Sequence, residues 1–220
     1  MKLVLNNYWR SSASYRVRIA LGLKQLPWDY KVVNIVGRGE QEADTKSADY
    51  RTKNPMAQVP TLEITEDDGT VHYLQQSLPI IEYLEERWPS PPLLPEKDPY
   101  LRARCRALAE IVNSGIQPLQ NLTTTRKVLA LGGDEKIWVQ GFIADGLAAF
   151  ERQVQETAGR FCVGDTPTIA DCALIPQLYS AGRFGVPLEQ FPFLSLIMRA
   201  CHELPAFAEA HPDRQPDAVK

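Results

Sequence analysis

Residues 2–24 read KLVLNNYWRSSASYRVRIALGLK, and the fold is decided there. Lys2–Asn6 is a short run rich in Leu and Val, the composition of a strand. Ser14–Lys24 then sets Val17, Ala20 and Leu21 at helical spacing, with Arg16 and Arg18 turned elsewhere. Between the two lies Arg10-Ser11-Ser12-Ala13-Ser14. Serine hydroxyls at such a junction cap the first orphan amides of a helix. The same junction makes an anion site, because those N–H groups and the positive end of the helix dipole face outward. Three serines beside an arginine exceed what one cap requires, so both readings stand.

Working outward, Tyr30–Ile35 is again dense in β-branched residues. After an ambiguous polar stretch, Thr61–Ile64 and Val71–Leu74 flank Glu66-Asp67-Asp68-Gly69, whose Asp-Gly pair signals a hairpin. Ser77 opens a helix to about Arg87, with Pro79 in its first turn, where no amide donor is missed. The order βαβ then ββα predicts a small mixed sheet with helices packed on it. RWPSPPLLP, residues 87–95, holds four prolines and reads as an interdomain linker. Beyond it the spacing is helical almost throughout: roughly Tyr100–Ser114, Leu119–Leu131, Glu135–Glu156, Thr168–Arg183 and Leu194–His202. The expected division is therefore a mixed α/β domain over residues 1–86, a linker over 87–98 and an all-helical domain over 99–220. The segment His211–Lys220 reads as frayed.

The composition is that of a globular protein, with 44% apolar and 23% charged residues in 220. A net charge of −3 carries no basic excess for nucleic acid. No apolar run approaches the ~18–20 residues of a membrane span, and polar Asn6 and Asn7 interrupt anything resembling a secretory signal. A cytoplasmic protein is expected. Cys105, Cys162, Cys172 and Cys201 form no CxxC, and His72, His202 and His211 are scattered, so no metal site is expected. The cysteines read as buried thiols of a helical core.

Three further features carry polar groups. Pro60, in Gln58-Val59-Pro60-Thr61, stands just before a strand, either as an edge device or as a cis peptide that turns its neighbours toward a ligand. Gln76-Ser77 starts a helix, by default as a cap. Thr168 and Asp171 have the capping-box spacing, with Asp in place of the usual Glu or Gln.

Together these features resemble the soluble glutathione transferases, specifically the zeta class, the maleylacetoacetate isomerases. SSASYRVRIAL is similar to that class's signature SSCSWRVRIAL. The likeness continues through NPMAQVPTLE, QQSLPIIEYLEERWPSPPLLP, ARCRALAEI, GIQPLQNL, FCVGDTPTIADCALIPQ and RQPDAV, so it spans essentially the whole chain.

The resemblance implies a glutathione transferase fold: a thioredoxin-like N-terminal domain that binds glutathione, an all-helical C-terminal domain, and a homodimer with neither nucleic acid nor membrane as partner. Carried onto this chain, it makes Ser11 the residue whose hydroxyl donates to the glutathione sulfur. Ser12, Ala13 and Ser14 form the positive helix terminus behind it. Val59, before a cis Pro60, pairs its backbone with the cysteinyl part of the tripeptide. Gln76 and Ser77 hold the γ-glutamyl carboxylate, and Gln41 is a weaker match. Gln117, Asn121, Leu122 and Thr123 close the site from the helical domain. Arg183 positions an anionic substrate, assisted by Arg10. The implied reaction is cis–trans isomerisation of maleylacetoacetate to fumarylacetoacetate, in aromatic amino-acid catabolism, by thiolate addition, bond rotation and elimination.

One departure from the signature bears on the chemistry: Ala13 stands where the class has cysteine, and residues 1–104 contain no cysteine at all. A protein–glutathione mixed disulfide there is excluded, which disfavours a glutaredoxin-like activity. Tyr15 in place of tryptophan keeps an aromatic in the helix. The alternatives are maleylpyruvate isomerisation, general transfer of glutathione to small electrophiles (with Tyr8 a poorer candidate than the serines), and a non-catalytic binding protein of the same fold.

Overall fold

The computed structural model describes residues 1–37 and 42–219. Gln41 lies outside these residues. The chain divides into two compact units, one comprising Met1–Pro91 with Pro205–Lys220 and the other Pro92–Leu204.

The first unit is built on four strands: β1 (Lys2–Asn7), β2 (Asp29–Val32), β3 (Thr61–Thr65) and β4 (Val71–Gln75), in the order β2-β1-β3-β4. β1 and β2 run parallel, as a βαβ connection through α1 (Ser12–Leu23) requires, while β3 is antiparallel to both β1 and β4. The register sets Leu5 opposite Leu62, and both are fully buried, as are Ile80, Ile81 and Leu84 of α3 (Ser77–Arg87). Each such side chain contributes ~1.5–3 kcal/mol through the apolar surface it withdraws from water. The polar stretch before β3 contains a 3₁₀ turn at Asp44–Lys46 and a short helix, α2 (Ala48–Lys53).

α1 is buried on every side between Ala13 and Leu21. Arg16 and Arg18, turned away from the apolar stripe, are nonetheless 0% and 2% exposed. The reason is that α1 has two helical neighbours, α3 and α10 (Pro205–Glu209), in addition to the sheet. The segment read as frayed packs onto the first unit, so the helical domain expected over 99–220 yields its last stretch, from Pro205, to the unit that begins at Met1. Below α1, Lys24 Nζ donates to Glu85 Oε2 at 2.5 Å and to the carbonyls of Trp88 at 2.6 Å and Pro91 at 2.8 Å, which fixes where the first pass of this unit ends.

The second unit consists of α4 (Pro99–Glu110), a π-helical turn (Ile111–Ile116), α5 (Gln117–Gln120), α6 (Leu122–Ala130), α7 (Glu135–Val154), α8 (Ile169–Phe184) and α9 (Pro192–His202). The helix expected to run to Ser114 thus leaves α geometry at Glu110, and Gln117 donates its N–H to Val112 O across the wide turn. Gly146 of α7 lies against that turn; a Cβ there would stand 2.3 Å from Ile116 Cγ1. All four cysteines are free and buried, as expected. Burial pushes the Cys105 thiol up to about 11 and also raises those of Cys162 and Cys201 well above the ordinary thiol value. Among the described residues, no helix is long and apolar enough to cross a membrane and no cluster of His, Cys, Asp and Glu could hold a metal ion.

Candidate active site

At the β1–α1 junction the cap is formed, and the capping hydroxyl keeps a proton. Ser11 is the N-cap of α1, with extended backbone, and its Oγ accepts the N–H of Ser14 at 3.2 Å. A hydroxyl has one proton and two lone pairs, so accepting that bond leaves its O–H able to donate outward. The side chain is half-buried, and the first turn of α1 contains no acidic residue to satisfy the dipole from within. Arg10 is exposed and lies over the Trp9 ring, its guanidinium carbon 5.2 Å from the centroid. Ser12 is half-buried; Ala13 and Ser14 are buried, so what these last two present is chiefly backbone.

A second helix start lies in the same unit. α3 begins after Gln76, whose φ of 69° and ψ of 124° place a non-glycine residue in the left-handed region. Such a conformation costs ~1–3 kcal/mol and persists only where its surroundings impose it, commonly at a ligand site. The Gln76 side chain makes no capping bond and is exposed, and the first turn of α3 also lacks an acid. Ser77 is 2% exposed, and its Oγ accepts from Arg16 Nη1 at 3.1 Å. A buried guanidinium therefore ties the α3 start to α1 and adds positive charge beside it. Burial lowers Arg18, the other arginine of this helix, to about 10, which still leaves it charged at neutral pH.

The turn before β3 is held from behind. The Val59–Pro60 peptide is cis. The Gln58 carbonyl accepts from Tyr50 Oη at 2.7 Å and from Asn54 Nδ2 at 2.8 Å, and both of these groups also reach Thr61 Oγ1, at 3.0 and 3.1 Å. Burial pushes the Tyr50 phenol up, so it keeps its proton. None of Tyr50, Asn54, Arg16 or Arg18 is given a place in the site by the sequence. The available signal was two arginines inside an otherwise apolar helix, with no acid one turn away.

In the second unit, Gln117 is half-buried at the end of the π turn, and Asn121, half-buried, caps α6 with its backbone. Leu122 and Thr123 are exposed in the first turn of α6. Gln120 and Gln177 exchange amide hydrogen bonds at 3.3 and 3.1 Å, which joins α5 to α8. Arg183 is exposed on the last turn of α8, its guanidinium carbon 5.6 Å from the Phe184 ring centroid and 6.0 Å from that of Tyr179. The start of α8 carries the expected capping box: Asp171 Oδ2 accepts the Thr168 N–H at 2.8 Å and its hydroxyl at 2.9 Å.

The acid-free starts of α1 and α3, the former with a hydroxyl to spare, suit a ligand bearing a polarisable anion and a carboxylate. Comparison with known proteins is consistent with that donor set. The family of glutathione S-transferase N-terminal domains matches residues 10–87. The maleylacetoacetate isomerase of Rattus norvegicus is 45% identical over 217 residues, covering 98% of this chain and 95% of its own. The chain belongs to the maleylacetoacetate isomerases, the zeta-class family of glutathione transferases. Within the family, a crystal structure of the enzyme from Anaeromyxobacter dehalogenans with glutathione bound in its active site superposes with a TM-score of 0.89 at 50% identity, covering 99% of this chain and 98% of that one. A zeta-class maleylpyruvate isomerase has a TM-score of 0.88 at 40% identity, with full coverage of both chains.

Proposed function

We propose that this chain catalyses the glutathione-dependent cis–trans isomerisation of maleylacetoacetate to fumarylacetoacetate, a step of aromatic amino-acid catabolism. The observation that carries the reading is Ser11: a half-buried hydroxyl at an acid-free helix start, with its oxygen already engaged and its proton free to point outward. Bound glutathione supplies a thiolate that adds reversibly to a conjugated double bond. Ser11 donates its proton to that sulfur, and the first turn of α1 faces it with positive dipole. Lowering a thiol pKa by ~2 units takes ~2.7 kcal/mol. A hydroxyl bond to an anion (~1.5–3 kcal/mol) together with a helix terminus (~0.3–2 kcal/mol) covers it.

Gln76 and Ser77 take the γ-glutamyl carboxylate, and the Val59 backbone pairs with the cysteinyl portion. Arg183 takes carboxylate charge of the substrate, to which an arginine fork is matched. Ala13 in place of the class cysteine confines the chemistry to serine-assisted addition and elimination. A cytoplasmic homodimer fits the reading, since free buried thiols suit a reducing compartment.

A second reading, maleylpyruvate isomerisation, is favoured by the likeness to the solved zeta-class enzyme named for that substrate. Rates with maleylacetone and maleylpyruvate rank the two. Retention on glutathione resin without turnover of either would instead favour a binding protein. The Arg183→Ala enzyme should bind glutathione as tightly as the parent, by calorimetry, yet lose about 100-fold in kcat/KM, the worth of a charged hydrogen-bond pair. Unchanged isomerisation refutes the role of Arg183.

A further inference from the structure

The turn that carries Ser11 is held by groups remote from it in sequence. Asp217 Oδ2 accepts the Trp9 N–H at 3.0 Å, and Asp217 Oδ1 accepts from Tyr30 Oη at 2.5 Å. On the other side, Arg18 Nη2 donates to the Trp9 carbonyl at 2.9 Å, Nη1 to Asn7 Oδ1 at 3.0 Å and to the Tyr8 carbonyl at 3.4 Å, and Nε to the Ala210 carbonyl at 3.1 Å. Both peptide groups of Trp9 are thereby fixed from outside the turn. The Ser11 N–H donates to the Tyr8 carbonyl at 3.1 Å, so the serine hangs from an anchored residue. Filling the space beneath α1 needs no such arrangement, because an apolar side chain would do so without a buried charge. What the charge and the carboxylate add is direction: apart from the bonds to Tyr30 and Ala210, these side-chain hydrogen bonds of Arg18 and Asp217 end on Asn7, Tyr8 or Trp9.

We propose that Arg18 and Asp217 are positioning residues for Ser11, and that the segment bearing Asp217 is a clasp which fixes the Tyr8–Ser11 turn in the geometry that meets a thiolate. The inference rests on the reading of Ser11 above and adds residues that touch neither glutathione nor substrate.

The test compares Asp217→Ala, Asp217→Asn, Tyr30→Phe and Ser11→Ala by three measurements. These are amide hydrogen exchange of Trp9–Ser14 in the free protein, glutathione affinity by calorimetry, and the pH midpoint of bound-thiol ionisation by ultraviolet absorbance. Asp217→Ala should speed exchange at Trp9 and Ser11, weaken glutathione about tenfold and raise the ionisation midpoint by about one unit, as expected for one hydrogen bond to a charged group. Asp217→Asn keeps an acceptor for Trp9 and a donor for the Tyr30 oxygen, so it should restore most of both quantities; Tyr30→Phe should shift them the same way by less. Should Asp217→Ala not fold, the same ordering read from Tyr30→Phe and Asp217→Asn decides the matter. A folded Asp217→Ala or Tyr30→Phe protein with parental exchange and parental thiol midpoint overturns the clasp. Ser11→Ala separates the two failures: if it leaves the midpoint in place, the reading of the site itself falls.

Discussion

The starts of α1 and α8 are both polar caps, yet only one reads as a site, and the contrast shows what separates them. At α8 the negative charge comes from the chain. Asp171 is fully buried and accepts from the Thr168 N–H, the Thr168 hydroxyl and the Cys162 N–H, at 2.8, 2.9 and 2.9 Å. The helix terminus is neutralised from within. At α1 the cap is a half-buried serine, no acid stands in the first turn, and the hydroxyl retains a proton. The chain supplies no carboxylate in that first turn. The location of the compensating charge decides whether a helix start stabilises the fold or binds a ligand.

The contrast can be broken at several points. The largest effect belongs to Asp171→Ala, which orphans three buried donors at ~1–3 kcal/mol each. It should lose at least ~3 kcal/mol of stability in urea unfolding, while the folded fraction binds glutathione normally. A change in glutathione affinity of that folded fraction would show that α8 is not purely structural. Ser11→Ala should do the reverse, costing ~1 kcal/mol of stability as a lost cap and about 100-fold in kcat/KM. Equal losses in stability and turnover would erase the distinction. Giving α1 its own anion with Ser12→Glu should weaken glutathione about tenfold at unchanged or raised thermal stability, since the new carboxylate competes for the same dipole.

The smallest effect is a pH dependence at α8. Burial pushes the Asp171 carboxyl up, against the pull of its donors. A folded-state pKa above the unfolded one means that its contribution to stability is fully present below the unfolded value and is lost as pH rises through the folded one. Wild-type stability relative to Asp171→Asn should therefore rise slightly as pH falls from 7 toward 4. A flat difference would place the carboxyl at its ordinary value.

What the sequence disclosed was local. The β1–α1 junction, the Asp-Gly hairpin and the Thr168–Asp171 box each lie within a few residues, where spacing alone carries the signal. What it hid was long-range. Arg16 meets Ser77 at a separation of 61 residues, Arg18 meets Ala210 at 192, and Trp9 meets Asp217 at 208. Helical spacing turned both arginines away from the apolar stripe but could not show what they meet, because it sees one helix and not the second layer that covers it. The π turn before Gln117 and the break at Asn121 were missed for a related reason: an apolar stripe continues through a change of helical pitch.

Because Pro205–Lys220 completes the unit opened by Met1–Pro91, the second unit is an insertion within the first. A nascent chain that has emerged only as far as Leu204 lacks α10, Ala210 and Asp217, and with them half of the scaffolding around Trp9. Such an intermediate can assemble its sheet and its helical insertion, but the Trp9 turn gains its bond to Asp217, and Arg18 its bond to Ala210, only after the later segment has emerged.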